Sequence, residues 1–313
     1  MKKRIIGVMA LVFLLGVGFP GFAQDFSMSD LEGDWYYYVT EVNPALPAVY
    51  WLTGIGEMDA SGHLGGVYFA PDDSAVAITG GQMAVARNGT LKGNLIAETG
   101  DTATVIDGKL DQGKTFGTAV MLGSDGTMDI TTMIKGGGTF APADMVGRWY
   151  AYVTAIDPAT GAVYWVYGTL DVDNAANVTG TFNAPDGSNV SVTGGTLSLD
   201  ENGVVSGSTT LSTGDTSIIV NGKLDQGKTF GAYVAVGTDQ GMRIGYLHKA
   251  GGTFAQGEGA GYWYSYGLGI VPSIPAVYWA YGRGDFDGSG NLNGFLTAPT
   301  GEIMRVTGTN VLN

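Results

Sequence analysis

Beyond residue 23 the chain alternates short runs of Val, Ile, Thr, Tyr and Phe with turn residues, and it shows no 3.6-residue periodicity. Two-residue alternation bounded by Gly, Pro, Asn and Asp is the mark of half-buried strands joined by tight turns. The pattern predicts eight strands in its first stretch: Trp35–Glu41, Val49–Met58, Leu64–Phe69, Val76–Val85, Leu91–Ala97, Thr102–Asp107, Thr115–Leu122 and Met128–Lys135. Asn88-Gly89, Gly100-Asp101, Asp111-Gln112-Gly113 and Ser124-Asp125-Gly126 are turn sequences that supply positive φ at little steric cost. Links this short leave no room for a crossover helix, so neighbouring strands must run antiparallel.

The pattern then repeats. Trp35-Tyr36-Tyr37-Tyr38 returns as Trp149-Tyr150-Ala151-Tyr152 and Trp263-Tyr264-Ser265-Tyr266, each step being 114 residues. Its companion Ala48-Val49-Tyr50-Trp51 returns as Ala162-Val163-Tyr164-Trp165 and Ala276-Val277-Tyr278-Trp279, and the two segments together hold all six tryptophans. Register holds without insertion or deletion, so the copies are expected to share one structure. The expected division is a signal peptide over 1–23, repeat units over 24–144 and 145–258, and an incomplete third unit over 259–313. The fold class is all-β, with tandem antiparallel up-and-down meanders of about eight strands. Such a meander can close as a barrel or fold as a sandwich. A continuous β-solenoid or extended sheet is the alternative, because the third unit holds only about four strands.

Residues 1–23 combine Lys2-Lys3-Arg4, an apolar run from Ile5 to Phe19, and the small-x-small site Gly21-Phe22-Ala23. This predicts export to the periplasm, cell surface or exterior, with no transmembrane helix after signal removal. Loss of the three basic residues leaves 12 basic against 29 acidic residues, a net charge of −17. That excludes nucleic acid as a natural partner. The chain has no cysteine, so its stability must come from packing rather than disulfides.

Gly33-Asp34-Trp35-Tyr36, Gly147-Arg148-Trp149-Tyr150 and Gly261-Tyr262-Trp263-Tyr264 each read G-x-W-Y at the first strand of a unit. This resembles the opening of lipocalins and avidins, whose eight-stranded up-and-down barrels begin with G-x-W. The resemblance implies a barrel and carries over no ligand residue.

Other motifs have structural readings. Gly108 to Thr115 and Gly222 to Thr229 match the P-loop pattern, but each is followed by a strand rather than a helix, and reads as a hairpin. Arg283-Gly284-Asp285 lies within an expected strand. Asp285-Phe286-Asp287-Gly288 resembles the start of a calcium loop, yet the twelfth position is Leu296 and not a bidentate Glu. His63 and His248 stand at non-equivalent places without zinc-site neighbours. No nucleophile elbow appears. The expectation is therefore no catalytic centre, no metal and no cofactor.

What remains is the aromatic hairpin. Alternate strand residues face opposite sides, so one set of rings must be core while the other packs on a neighbouring unit or meets solvent. The second set defines the candidate ligand-binding residues: Tyr36, Tyr38 and Trp51, then Tyr150, Tyr152 and Trp165, then Tyr264, Tyr266 and Trp279. The expected function is that of an exported, non-catalytic structural, surface or adhesive protein. The alternative is a carbohydrate- or small-ligand-binding protein that uses these rings or a barrel interior. Polysaccharide or other surface proteins are the partners that fit.

Overall fold

A computed structural model describes residues 25–43, 48–70, 72, 74–157, 162–184, 186–251, 259–271, 276–298 and 300–309. The signal segment and the last four residues lie outside these. The first unit comprises β1 (Gly33–Asn43), β2 (Ala48–Met58), β3 (Leu64–Phe69), β4 (Ala75–Val85), β5 (Leu91–Ala97), β6 (Thr102–Leu110), β7 (Phe116–Gly123) and β8 (Met128–Lys135). The second comprises β9 (Gly147–Ile156), β10 (Val163–Val172), β11 (Val178–Asn183), β12 (Asn189–Leu199), β13 (Val205–Leu211), β14 (Thr216–Leu224), β15 (Phe230–Gly237) and β16 (Met242–Lys249). Each is a closed antiparallel barrel, sealed by β1 against β8 and by β9 against β16. β17 (Gly261–Val271), β18 (Ala276–Phe286), β19 (Asn291–Thr297) and β20 (Ile303–Thr309) form an open four-stranded sheet. Closure removes the free edges a meander would leave, and it rules out the continuous solenoid.

The strand borders follow the turn chemistry closely. One hairpin differs: β6 runs on to Leu110 and β7 starts at Phe116. The Asp111 carboxylate explains this, since it accepts the N–H groups of Gly113, Thr115 and Phe116 and so takes Thr115 out of the ladder. Asp225 does the same for Gly227, Thr229 and Phe230. Lys114 and Lys228 sit at φ 59° in these turns. The P-loop-like stretches are hairpins.

Each barrel has a plugged end. A single 3-10 turn, Met28–Asp30, leads into β1, and the Trp35 indole donates to the Leu31 carbonyl at 2.6 Å. Lys135 stands over the Trp35 ring and donates to the Asp30 carbonyl at 2.6 Å. The second barrel repeats this with the turn Pro142–Asp144, Trp149 on the Met145 carbonyl, and Lys249 over the Trp149 ring. Trp35 and Trp149 are fully buried. These 3-10 turns have no sequence periodicity to announce them, because a three-residue turn is shorter than the helical repeat.

The interiors are filled by side chains. In the first barrel Trp35, Tyr37, Met58, Leu64, Ile78 and Met83 meet Leu91, Val105, Leu110, Met121 and Met133. In the second, Trp149, Leu170, Val178 and Val192 meet Leu197, Val205, Leu224 and Leu247. Eight-stranded barrels are just wide enough for such filling.

Candidate functional site

Pairing places Trp35 opposite Gly56 and Tyr37 opposite Gly54, facing inward, while Tyr36 opposes Ile55, Tyr38 opposes Thr53 and Thr40 opposes Trp51, facing outward. The outward set of the first unit does not meet solvent. Tyr38 and Trp51 are buried against Phe230, Ala232, Val234, Ile244 and Tyr246 of the second barrel. The Tyr38 hydroxyl donates to Asn221 Oδ1 at 3.1 Å, and Lys223 Nζ lies 4.5 Å from the centroid of the half-buried Tyr36 ring. Burial pushes the Tyr38 phenol well above its ordinary range.

The third unit repeats this arrangement on the first. Tyr266 and Trp279 are buried against Val120, Met128 and Ile130, with Val42, Val49 and Ile156 alongside. The Tyr266 hydroxyl donates to Asp107 Oδ2 at 3.1 Å, and Lys109 Nζ lies 4.3 Å from the Tyr264 centroid. Asp107 and Lys109 stand 114 residues before Asn221 and Lys223, so both junctions use corresponding positions on each side. A β-bulge after Val105 and another after Ile219 turn these acceptors outward. Burial raises the Asp107 carboxyl above its ordinary range, against the lowering effect of the Tyr266 bond and Lys109.

The second unit's set is left open. Tyr150 is 47% exposed and Tyr167 is 45% exposed, while Tyr152 and Trp165 are half-buried. The Trp165 and Tyr167 rings lie 5.9 Å apart. Tyr152 meets His248 edge-on at 6.5 Å. Burial pushes the His248 imidazole down to about 4. Of the nine aromatic residues singled out from the sequence, the structure thus encloses Tyr38, Trp51, Tyr266 and Trp279. It half-covers Tyr36, Tyr152, Trp165 and Tyr264, and exposes Tyr150.

A second feature escaped the sequence reading. The barrel mouths, at the ends away from the plugs, differ in charge. On the first barrel's inner face Glu41 pairs across the strands with Tyr50 on one side and Asp129 on the other. Tyr68, also inward, feels the charges of Glu41, Asp101, Asp129 and Glu98. Asp129 is 8% exposed, and its Oδ1 has no hydrogen-bond partner. Burial, together with the charges of Glu41 and Asp125, pushes the Asp129 carboxyl up to about 8. Burial and Asp125 also raise Glu41. In the second barrel the corresponding residues are Ala155 and Arg243. The Arg243 guanidinium bonds Asp215 Oδ2 at 2.6 Å, Asp239 Oδ2 at 3.1 Å and the Gly241 carbonyl at 3.1 Å. A signal that could have found this site is an exchange of an acid for a base between the repeats, Asp129 for Arg243, beside the loss of Glu41 to Ala155.

The remaining motifs are structural. Arg283 lies in β18 over the Phe295 ring. The Asp287 carboxylate accepts the N–H groups of Ser289 and Asn291 and closes a turn. Among the described residues no three His, Cys, Asp or Glu side chains gather as metal ligands, and no helix is long and apolar enough to cross a membrane.

No family model matches the chain, and no curated protein matches it. Solved structures that resemble it include a protein of unknown function from the DUF3598 family of Nostoc punctiforme, at 10% identity and TM-score 0.28, covering 71% of this chain and 97% of that one. A candidate outer membrane protein from Bacteroides fragilis aligns at 12% identity and TM-score 0.24, covering 71% of this chain and 99% of its own. An AttH-type protein from Nitrosomonas europaea aligns at 9% identity and TM-score 0.22, covering 74% and 98%.

Proposed function

We propose that this is an exported, non-catalytic structural protein whose barrels assemble through the repeated aromatic hairpin. In this reading the outer face of β9–β10 is the seat for four further strands of the same repeat type. The observation that supports it is the junction made twice with corresponding residues: Tyr38 on Asn221 with Tyr36 under Lys223, and Tyr266 on Asp107 with Tyr264 under Lys109. Tyr152, Tyr150 and Trp165 are the same hairpin without the matching strands. The open β17–β20 sheet lacks a partner for β5–β8 or β13–β16 among the described residues. Four strands with the chemistry of β13–β16 would close that sheet as a barrel and present their outer face to Trp165. Tyr suits this role, since it couples a large apolar body to a hydroxyl that finds a partner when buried, as Tyr38 and Tyr266 do, while Trp51 and Trp279 supply apolar bulk with their indole N–H groups unpartnered. The signal-like start of the chain supports export, and the acidic composition suits a soluble exported protein.

The test supplies those strands. Because 313 − 114 = 199, a copy of residues 200–251 appended after Asn313 continues the third unit in register. The expected result is protection of the 259–309 region from protease and a blue shift of Trp165 emission, read as the difference in fluorescence between the protein and its Trp165→Phe variant. An appended segment that stays protease-labile, with Trp165 emission unchanged, sinks the reading. A native dimer that already buries Trp165 also sinks it, because the occupant is then a second copy. A second reading rests on the exposed Trp165–Tyr167 ring pair, which could stack on a sugar. Binding of the unextended protein on a glycan array, lost in Trp165→Ala, would favour it.

A further inference from the structure

We propose that the mouth of the first barrel binds a guanidinium-bearing ligand, seated between Glu41 and Asp129 and reaching Asp101 and Asp125 at the rim. Four observations carry this. First, Asp129 is a buried carboxylate with an unpartnered oxygen on the barrel's inner face, directly across the ladder from Glu41. Paired strand residues hold their Cβ atoms about 5 Å apart, so the two carboxylates share one small space. An uncompensated buried charge is costly.

Second, the sister barrel holds its own guanidinium at the equivalent position. Arg243 stands where Asp129 stands, and it bonds Asp215 and Asp239, the counterparts of Asp101 and Asp125. The first barrel keeps both rim carboxylates, adds Glu41 in place of Ala155, and exchanges the cation for a further acid. Among the described residues of the rim, 98–101 and 123–127 contain no Lys or Arg to restore the balance.

Third, the site favours an organic cation over a metal ion. No three carboxylates converge closely enough for coordination among the described residues. A planar guanidinium with five N–H donors can instead bridge separate carboxylates. Fourth, Tyr50 and Tyr68 face inward from β2 and β3, and aromatic faces attract a cation within about 6 Å. The titratable groups that act on Asp129 are Glu41 on β1, Tyr68 on β3 and Asp125 on the loop after β7, while Tyr50, beside Glu41, and Asp101 and Glu98, which act on Tyr68, belong to the same mouth.

The experiment uses the full mature chain and agmatine as probe, with calcium and propylamine as separate arms, read by titration calorimetry. The expected result is one saturable agmatine site whose affinity rises with pH from 6 towards 8 as Asp129 gives up its proton, with proton release in this range. Asp129→Asn and Glu41→Gln should each weaken binding about tenfold or more. Asp129→Arg rebuilds the second barrel's arrangement, so it should stay folded and bind no agmatine. Absence of saturable agmatine binding overturns the proposal and leaves Glu41 and Asp129 as a proton-sharing pair. Binding that survives in Asp129→Arg overturns it as well. So does saturation by calcium or by propylamine with agmatine inert, because the guanidinium is then not what the site reads.

Discussion

The two closed barrels share topology, register, bulge positions and plug, yet they take their bulky interior ring from different strands. In the first barrel Tyr37 comes from β1 and its ring lies over Gly56, diagonally across on β2, where a Cβ would sit 2.6 Å from the ring. In the second barrel that position is Ala151, and the space left by the missing glycine is taken by Leu170. The ring instead comes from Tyr233 on β15, facing Gly245, where a Cβ would sit 2.2 Å from the ring. The first barrel has Ala119 and Thr131 at those two places. Interiors pack near crystal density, so volume moved from one wall must be returned at another. The barrels thus conserve volume rather than residues, and this frees their outer faces and mouths to diverge.

The outer faces give the sharpest way to break the comparison. Trp51 and Trp165 are equivalent in sequence, but one is 2% exposed between barrels and the other is half-buried with solvent beside it. Trp51→Ala is expected to cost ~3–5 kcal/mol, since it deletes a fully packed indole and leaves a cavity between units. Trp165→Ala is expected to cost about 1 kcal/mol or less. Urea denaturation of both variants measures the difference. Equal losses would mean that the second hairpin is as enclosed as the first.

How much of this could be read from the chain alone depends on the range of each interaction. Strand borders were legible where turns such as Asn88-Gly89 and Asp125-Gly126 act on their immediate neighbours, and they slipped at Asp111, whose carboxylate gathers three N–H groups as far as Phe116. Barrel closure was legible as one of the expected forms of the meander but not its pairing, because setting Trp35 opposite Lys135 is a long-range choice that local alternation does not encode. The inward turn of Trp35 follows from alternation once one face is core. The destination of the outward rings does not: Tyr38 meets Asn221 183 residues away, and Tyr266 meets Asp107 159 residues away. The acidic mouth is harder still to see. Glu41 and Asp129 look like ordinary strand acids until β1 and β8 are known to be neighbours, and only their exchange for Ala155 and Arg243 marks them.

The mouths predict a difference in pH response. Asp129 titrates near 8 in the folded state but near its ordinary value when unfolded. The folded chain therefore holds a proton that the unfolded chain releases. This stabilises fully below about pH 4, and the contribution is lost as pH rises through about 8. Asp129→Asn should flatten that decline and raise stability at pH 8 by a few kcal/mol at most, roughly 1.4 kcal/mol per pKa unit before relaxation. Denaturant midpoints from pH 4 to 8, measured without ligand, compare wild type with variant. An unchanged slope would show that Asp129 is not protonated in the folded protein.

The smallest effect lies near the plugged ends. In the second barrel Arg148 on β9 faces Asp171 on β10 through a bidentate pair of 2.8 and 2.9 Å. In the first barrel the same ladder positions hold Asp34 and Glu57, two acids directly opposed. Like charges across a ladder repel, while an exposed ion pair contributes little because water screens it. Asp34→Arg should therefore raise the denaturation midpoint slightly at low ionic strength, and the gain should fade in molar salt as the Debye length shrinks to about 3 Å. The reverse change, Arg148→Asp, recreates the first barrel's repulsion and should lower the midpoint with the same salt dependence. If neither shift responds to salt, the difference between these strand pairs lies in packing by the long arginine stem, and charge is not what separates the barrels at this end.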